Sequence, residues 1–362
     1  MQKRQLHIKY GNKAKDMVYD LLDKLNIASD IDKRNSLIGI KPNLVLPSPS
    51  NKGATTSPDL VEGIIRYLQD NGYNNIVILE GAWVGASTEK AFEVCGYNEL
   101  SRKYKIPLID LKKDKYKKID VEGLSLKVCQ KALEIDYLIN LPVLKAHCQT
   151  HLTCALKNLK GCIPDPEKRR FHRLGLHQPI AYLNKVLESK LVIVDGIIGD
   201  LTFEEGGNPV QMDRIIIGQD PVLIDTYCAA LIGYSKNDIS YIDIANEIGI
   251  GSSNLEEAEI IEHNPGYKSD KDFYHSTLVK KLARKVTEDK SCSACYGSLI
   301  HALKRLEEKG IEPKEKIFIG QGFKGLSESG IGIGNCTSGF SKNIKGCPPS
   351  AKAIIDYIIS QQ

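Results

Sequence analysis

The 362-residue sequence lacks the features that would place a protein in a membrane or on a nucleic acid. No apolar run approaches the roughly 20 residues that a membrane-spanning helix needs. Residues 1–7 contain no apolar core, so we expect no secretory leader. The net charge is only +4, and no basic stretch is interleaved with aromatic residues for base stacking. We therefore expect a cytoplasmic protein with neither nucleic acid nor membrane as a partner.

The sequence also lacks internal repeats and low-complexity tracts. Hydrophobic residues make up 42% and charged residues 26%, which are ordinary values for a globular protein. A chain of this length can bury a sizeable core and form two domains. The unusual feature is its ten cysteines. Because disulfides are rare in a reducing cytoplasm, clustered cysteines there point first to metal or redox chemistry.

Short apolar runs alternate with amphipathic stretches through the first two thirds of the sequence. The first run stops at Lys41-Pro42-Asn43, and Ser57 as N-cap with Pro58 at the first helical position predicts a helix that continues to residue 71. This alternation predicts an α/β fold with a mostly parallel sheet and helices on both faces. In such sheets the functional loops leave the carboxyl ends of the strands. The predicted strands lie within residues 36–40, 76–79, 106–111, 137–141, 191–194 and 214–217.

The composition changes towards the carboxyl terminus and divides the chain into three parts. We predict an α/β domain over residues 1–265, a basic linker over 266–290, and a small carboxyl-terminal α/β domain over 291–362. The pattern of the small domain indicates the order helix, strand, strand, helix. These elements are predicted over residues 296–308, 316–320, 330–334 and 350–360.

Four cysteines form the most specific pattern in the small domain. Cys292 and Cys295 are a C-x-x-C pair just before a predicted helix, where backbone N–H groups favour thiolates. Cys336 and Cys347 are too far apart for a zinc ribbon, and neighbouring glycines let the backbone approach a bulky inorganic core. We predict that the four thiolates bind one 4Fe–4S cluster. Zinc is the less favoured alternative, and unligated or redox-active thiols are a third.

The same cysteines resemble a known cluster signature. A C-x-x-C pair followed by Gly334-Asn335-Cys336 and by Gly346-Cys347-Pro348-Pro349 is similar to the small subunits of nickel–iron hydrogenases and the related respiratory-complex subunit. The resemblance covers only residues 292–362, and the spacings are shorter than in those subunits. It therefore implies a 4Fe–4S cluster and not hydrogenase activity.

The densest group of polar residues lies within residues 142–177. Four of the eight histidines fall here, and the stretch contains seven Lys and Arg residues but only two acidic residues. A local excess of cationic and imidazole groups suits an anionic small molecule such as a carboxylate or phosphate. His147 and His151 would share one face of a helix and could bind a metal, whereas Thr150 as an N-cap would leave His147 in a loop. We interpret Lys168–Arg170 as a solvated charge run.

Candidate functional residues come from this group and from other strand ends. Lysines would hold an anionic group, and a histidine with a pKa near neutral would supply or remove a proton. We predict His147, His151 and Lys157 as catalytic residues. The predicted substrate-binding residues are Lys41, Asn43, Lys145, Asn158, Lys160 and Asp195.

A wider resemblance spans residues 38–235. The sequence resembles the family catalogued as domain of unknown function 362, which is often associated with iron–sulfur segments. The resemblance implies the fold and the cofactor, and no particular reaction. Many members carry the compact run C-x-x-C-x-x-C-x-x-x-C-P, which is replaced here by one dispersed four-cysteine site, so we expect no two-cluster relay. The segments that match are Lys41-Pro42-Asn43-Leu44, Thr55–Pro58, Lys145-Ala146-His147, Leu156–Gly161 and Val194-Asp195-Gly196.

Together these patterns favour an oxidoreductase in which one 4Fe–4S cluster passes electrons to an anionic small molecule. Two alternatives stay open. The protein could be an electron-transfer or cluster-carrier module without a substrate of its own, acting on a redox partner protein. It could also be a zinc-stabilised binding protein. The metal and sulfide content of the anaerobically purified protein separates the zinc protein from the other two. Replacing His147 or Lys157 separates those two, because it should abolish turnover by an enzyme and leave electron transfer by a carrier unaffected.

Overall fold

The computed structural model describes residues 2, 4–147, 149–201, 204, 206, 208–268, 281–291 and 293–362. It shows an α/β protein with a large, mostly parallel sheet and a small parallel sheet. The strands, in chain order, are β1 (Gln5–Tyr10), β2 (Ile38–Pro42), β3 (Ile76–Glu80), β4 (Leu108–Asp110), β5 (Tyr116–Val121), β6 (Leu124–Cys129), β7 (Tyr137–Leu141), β8 (Val143–His147), β9 (His151–Thr153), β10 (Leu191–Asp200), β11 (Pro209–Gly218), β12 (Glu259–Glu262), β13 (Val286–Glu288), β14 (Ile317–Ile319), β15 (Ile331–Ile333) and β16 (Lys342–Ile344).

Helices lie between most of these strands. None of the described helices is long and apolar enough to cross a membrane. The helices, in chain order, are α1 (Ala14–Lys24), α2 (Pro58–Asp70), α3 (Thr88–Val94), α4 (Tyr97–Tyr104), α5 (Gln130–Leu133), α6 (Ala155–Asn158), α7 (Asp165–Leu174), α8 (His177–Val186), α9 (Pro221–Leu231), α10 (Ser240–Glu247), α11 (Ser293–Glu308) and α12 (Ala351–Ser360).

The large sheet has the strand order β12-β1-β11-β10-β7-β2-β3-β4. Parallel pairing joins β10, β7, β2, β3 and β4, while β11 runs antiparallel to both of its neighbours. The predicted fold class, a mostly parallel sheet with helices on both faces, is confirmed. β10 is long enough to pair first with β7 and then with β8, which lies beyond Pro142. The antiparallel hairpin of β8 and β9 therefore projects past the carboxyl edge of the sheet.

Two apolar cores pack against opposite faces of the large sheet. Alternate residues of a strand point to opposite faces, so Ile193 joins one core while Val192 and Val194 join the other. Helices α1 and α2 cover the first core, and α8, α9 and α10 cover the second. Each fully buried aliphatic side chain contributes about 1.5–3 kcal/mol. These two cores hold the sheet rigid, so that the loops at its carboxyl edge can carry polar groups.

The small sheet and its helices have a core of their own. Strands β13 to β16 are all parallel, and α11 and α12 pack on them. β13 lies inside the stretch that we predicted as a basic linker, and β16 was not predicted. Lys304 of α11 donates a hydrogen bond to Asn208 Oδ1 at 2.8 Å, which ties this unit to the loop before β11. The domain boundaries themselves stay a prediction.

Candidate functional site

A cavity of about 570 Å³ lies between the carboxyl edges of the two sheets. One wall comes from the loops after β2 and β3, the β8–β9 hairpin, α6, α7 and Glu204. The other wall comes from the first turn of α11 and the loops after β14, β15 and β16. Cavities of this size hold small-molecule ligands in other proteins. The residues around it decide which chemistry it suits.

Lys41 and Glu80 form a buried ion pair where β2 and β3 reach the cavity. The Lys41 Nζ lies 2.8 Å from Glu80 Oε2 and donates to the carbonyl of Pro42 at 2.7 Å. The backbone N–H groups of Leu44 and Gly81 donate to the Glu80 carboxylate at 2.8 Å and 2.7 Å. Both charges are thus compensated inside the protein. Lys41, predicted to bind substrate, is engaged by the fold and does not line the cavity.

Gly161 lies directly against this ion pair. A Cβ at position 161 would lie 2.1 Å from Glu80 Oε1 and 2.6 Å from Lys41 Nζ. Real Cβ atoms do not approach other atoms so closely, so a side chain at this position would displace the ion-paired ends of Lys41 and Glu80. The close contact holds the short helical turn Leu159–Cys162 against the end of the sheet, and this turn carries Lys160 into the cavity.

A chain of side-chain amides runs behind the cavity wall. Asn43 donates to Asn158 Oδ1 at 2.9 Å, and Asn158 donates to Asn140 Oδ1 at 2.7 Å. Lys145 donates to Asn43 Oδ1 and to the Ala54 carbonyl, each at 2.7 Å, and its side chain is fully buried. Asn43 and Asn158 line the cavity, as predicted substrate-binding residues would. Lys145 instead ties three segments of backbone and side chain together.

Two other predicted site residues lie away from the cavity. Asp195 accepts hydrogen bonds from the backbone N–H groups of Ser57 at 2.8 Å and Ile197 at 3.2 Å, at the start of α2. Its burial raises the pKa of this carboxyl to about 6. The His151 ring packs against Tyr234 with the ring centroids 5.0 Å apart. Neither residue lines the cavity.

His147 lies in a β-hairpin. Both local structures that we considered for it, a helix face shared with His151 and a loop before a helix capped by Thr150, are therefore wrong. β8 ends at His147, β9 begins at His151, and the two residues pair across the strands. Thr150 is not an N-cap, because its hydroxyl donates to the Leu152 carbonyl at 3.1 Å. The antiparallel pairing of the hairpin overrides the four-residue spacing that is typical of one helix face.

The His147 ring is held in one tautomer. Its Nδ1 accepts hydrogen bonds from the backbone N–H groups of Gln149 at 3.1 Å and Thr150 at 3.0 Å. The proton is therefore on Nε2, which lies 3.0 Å from Glu204 Oε2. Lys157 forms an ion pair with the other Glu204 oxygen. These contacts join the hairpin, α6 and Glu204 in one buried network.

Glu204 was not among the site residues predicted from the sequence. It belongs to a Gly-rich polar loop after a long apolar strand, and that context was the one available signal. Burial would raise the pKa of this carboxyl, but Lys157 and His147 outweigh burial and hold it well below its usual value. Burial and the Lys157 charge lower the pKa of His147 to about 4. At neutral pH the network therefore contains the Glu204 carboxylate and an uncharged His147 imidazole. The pKa of His147 lies below the neutral value that we expected for a catalytic histidine.

Lys160 is the cavity residue whose proton equilibrium lies near neutral pH. Burial and the nearby Lys157 charge lower the pKa of Lys160 to about 7, although Glu204 acts in the opposite direction. Within the described part of the chain, its ammonium has neither a hydrogen-bond nor an ion-pair partner. Burial and the charge of Lys160 also lower the pKa of His172, on the same wall, to about 2. Lys160 can therefore contact a ligand and exchange a proton with it.

The cavity has an excess of positive charge. Its lining carboxylates, Glu80 and Glu204, are both in ion pairs. Arg169, Arg173 and Lys324 line it with exposed side chains that form no ion pair among the described residues. Unpaired cations around a concave site attract anions.

The solvated-charge interpretation of Lys168–Arg170 is wrong for Lys168. Its side chain is buried, and its Nζ donates to the carbonyls of Gly81 at 3.0 Å and Ala82 at 2.7 Å. Arg170 is also engaged, with Glu167 and with the Ser125 carbonyl. The helical periodicity of α7 separates these residues from Arg169, which faces the cavity.

Three of the four predicted cluster ligands line the opposite wall. Cys295 lies in the first turn of α11, Cys336 in the turn after β15, and Cys347 after β16. Gly334 has a φ of +87°, and a Cβ there would lie 3.2 Å from Cys295 Sγ. The Asn335 N–H donates to the Gly346 carbonyl at 2.9 Å, so the loops that carry Cys336 and Cys347 are held side by side.

The thiols fit the ligand chemistry of an iron–sulfur cluster or of zinc. Cys295 and Cys336 are half-buried and Cys347 is exposed, whereas the other described cysteines are all buried. Cys292, the predicted fourth ligand, lies outside the described residues. Among the His, Cys, Asp and Glu residues that the structure describes, no group of three or more is placed to hold a metal ion. The donor set that the sequence predicts therefore includes a residue that the structure does not describe.

The fold and the cavity define an α/β protein with a basic wall facing a cysteine-lined wall. The chain belongs to the family described as "Domain of unknown function (DUF362)", whose model matches residues 38–230. A thylakoid-associated protein of Synechocystis sp. is 27% identical over 206 residues, which are 55% of this chain and 62% of that protein. The chain thus spans less than two thirds of the length of this curated relative.

Solved structures show weaker likenesses. The lactate racemase apoprotein of Thermoanaerobacterium thermosaccharolyticum has a TM-score of 0.42 at 14% identity, covering 62% of this chain and 56% of that one. A protein of Thermotoga maritima has a TM-score of 0.41 at 13% identity, covering 66% of this chain and 60% of that one.

Replacing Gly161 with alanine tests the close contact at the buried ion pair. We expect Gly161→Ala to lower the free energy of unfolding by about 3 kcal/mol, because a Cβ there separates Lys41 from Glu80. Gly266→Ala is the matched control, since a Cβ at this exposed glycine meets nothing within 4 Å. Urea unfolding measures both variants. Equal free energies of unfolding for the two variants would show that Gly161 is not packed closely against the Lys41–Glu80 ion pair.

The pKa of Lys160 can be measured by competitive acetylation with trace acetic anhydride and mass spectrometry. Only the uncharged amine reacts, so the reactivity of Lys160 should rise with pH and reach half of its maximum near pH 7. Lys157→Met removes the neighbouring charge and should move this midpoint to higher pH. Exposed Lys309 serves as the internal reference. A Lys160 profile that matches Lys309 at every pH would show that the cavity does not perturb it.

Proposed function

We propose that this protein is an iron–sulfur redox enzyme whose cluster and anionic substrate share one cavity. The supporting observation is that Cys295, Cys336 and Cys347 face Lys160 and Arg173 across the same space. A ligand in the cavity would contact both walls, so electrons would need no further relay. This juxtaposition could not be seen in the sequence, where the two groups are more than a hundred residues apart.

Cys292, Cys295, Cys336 and Cys347 would hold the 4Fe–4S cluster. When bound, such a cluster supplies single electrons at a potential set by its ligands and surroundings. The hydrogen bonds between the loops of Cys336 and Cys347 would keep these ligands in place. Cys347 is exposed, which leaves room for a redox partner protein to approach and to supply the electrons.

The basic wall would bind the substrate and provide protons. Arg169, Arg173 and Lys160 would attract an anionic group into the cavity. Lys160 as an ammonium would donate a proton to the substrate as it accepts an electron, and would regain the proton from water. Because Lys160 loses its charge as the pH rises through about 7, affinity for the anion should fall over that range.

Lys157, Glu204 and His147 would support this wall rather than react. The Glu204 carboxylate balances Lys157 and fixes the His147 ring. The charge of Lys157 in turn lowers the pKa of Lys160. In this proposal Lys160 replaces His147 as the residue that moves a proton.

Metal analysis tests the cluster. Anaerobically purified protein should be brown, with about four irons and four labile sulfides per chain. Cys336→Ser and Cys347→Ser should lose most of this iron. Cys95→Ser is the control, because a hydroxyl there can keep the contact that Cys95 Sγ makes with the Ser48 carbonyl at 3.1 Å. Colourless protein carrying one zinc would favour the zinc-stabilised binding protein instead.

Reoxidation of the dithionite-reduced cluster distinguishes an enzyme from a carrier. We expect pyruvate, fumarate or crotonate, reducible carboxylates that each take up two electrons and two protons, to reoxidise the cluster in stopped-flow measurements, with two reduced protein molecules consumed for each carboxylate reduced. Lys160→Gln and Arg173→Gln should slow this by about tenfold or more at unchanged iron content, because each removes a cation that attracts the anion. Exposed Lys309→Gln is the control. The carrier module would be supported if a redox protein reoxidised the cluster equally fast in all variants and the three carboxylates did not reoxidise it at all.

A further inference from the structure

Trp83 is the one tryptophan in the sequence, and it lies on the cavity wall. Trp83 is 37% exposed, although indole is among the side chains that gain most from burial. The apolar side chains of Val45, Val84 and Ile333 line the same cavity. The cavity therefore combines an apolar aromatic surface with the excess of positive charge described above.

The loop that carries Trp83 is held in place from several directions. The backbone N–H of Trp83 donates to the Val45 carbonyl at 2.9 Å. Lys112 donates to the carbonyls of Trp83 at 3.3 Å and Ala86 at 2.6 Å. Lys168 holds the two residues before Trp83 by their carbonyls. An exposed tryptophan on a loop fixed by two lysines is a preorganised surface for a ligand.

The same contacts place the aromatic surface close to the cations. Lys168 belongs to α7, and this helix also presents Arg169, His172 and Arg173 to the cavity. A ligand that packs on Trp83 therefore has basic side chains of one short helix within reach. The arrangement suits a molecule with an apolar flat part and an acidic end.

We propose that the cavity selects an anion with a flat apolar body, which stacks on Trp83 while its acid group binds Lys160 and Arg173. This inference rests on the proposed function, because it specifies the substrate class of the same cavity. Stacking on the indole selects for flatness, since aromatic rings pair with a fixed offset or edge geometry that saturated rings do not match. The cations select for charge. A ligand with both properties gains from the indole and from the cations at once.

Equilibrium dialysis of the cluster-containing protein with simple probes tests flatness and charge separately. Benzoate and phenyl phosphate are flat and anionic, cyclohexanecarboxylate is anionic but not flat, and benzamide is flat but neutral. We expect benzoate or phenyl phosphate to bind roughly threefold to tenfold more tightly than cyclohexanecarboxylate, the range of an aromatic pair. Benzamide, which lacks the charge, should bind more weakly than benzoate or phenyl phosphate. In the wild type, fluorescence of Trp83 provides a second readout of binding.

Variants then assign each selectivity to a residue. Trp83→Phe should keep the preference for the flat acids, and Trp83→Leu, equally apolar but not flat, should abolish it. Arg173→Gln should weaken all acids alike and leave benzamide unchanged. Equal binding of flat and saturated acids, with no effect of Trp83→Leu, would overturn this inference and leave the proposed function intact. Binding of no acid by a protein that contains its cluster would instead overturn the anionic substrate of the proposed function.

Discussion

Lys41 and Glu80 are removed from water together at the carboxyl edge of the large sheet, and much of the cavity follows from that burial. Two buried charges are tolerated only when their attraction and additional hydrogen bonds offset the loss of hydration. The backbone of Leu44 and Gly81 provides those bonds, which brings the loops after β2 and β3 together. Gly161 closes the third side. Lys160 reaches the cavity because the turn that carries it has no side chain at the next position.

The sequence predicted the elements of the fold well because their signals are local. The apolar runs identified β2, β3 and β7 to within a few residues and the start of β10, and the helix after Ser57 begins as expected at Pro58. The Ser57 side chain, however, makes no capping bond. The carboxylate of Asp195, 138 positions further along the chain, accepts from the Ser57 N–H instead. A capping signature marks where a helix starts, whereas the partner that completes the start depends on the tertiary fold.

The sequence predicted which segment supplies the basic residues of the candidate site, but not which of those residues reach the ligand. Residues 142–177 do supply a basic wall, but three of their lysines are engaged with protein groups. Lys145 binds Asn43, Lys157 binds Glu204, and Lys168 binds carbonyls of the Trp83 loop. Lys160 lies in the same stretch of sequence as these three lysines, and nothing in the sequence around it distinguishes it from them. Which lysines stay available depends on acceptors supplied from distant segments, and Glu204, the most influential of these, lies outside the polar group.

The two sheets present their carboxyl edges to each other, while each is built on a separate core. The architecture is therefore modular: the loops and helices of the large sheet carry most of the cationic recognition surface, and the loops of the small sheet carry the thiols together with Lys324. Mutations in either set of loops leave the opposite core untouched. Evolution can accordingly diversify what the cavity recognises without altering the cysteine wall, and can exchange or lose the cysteine wall without rebuilding the recognition surface.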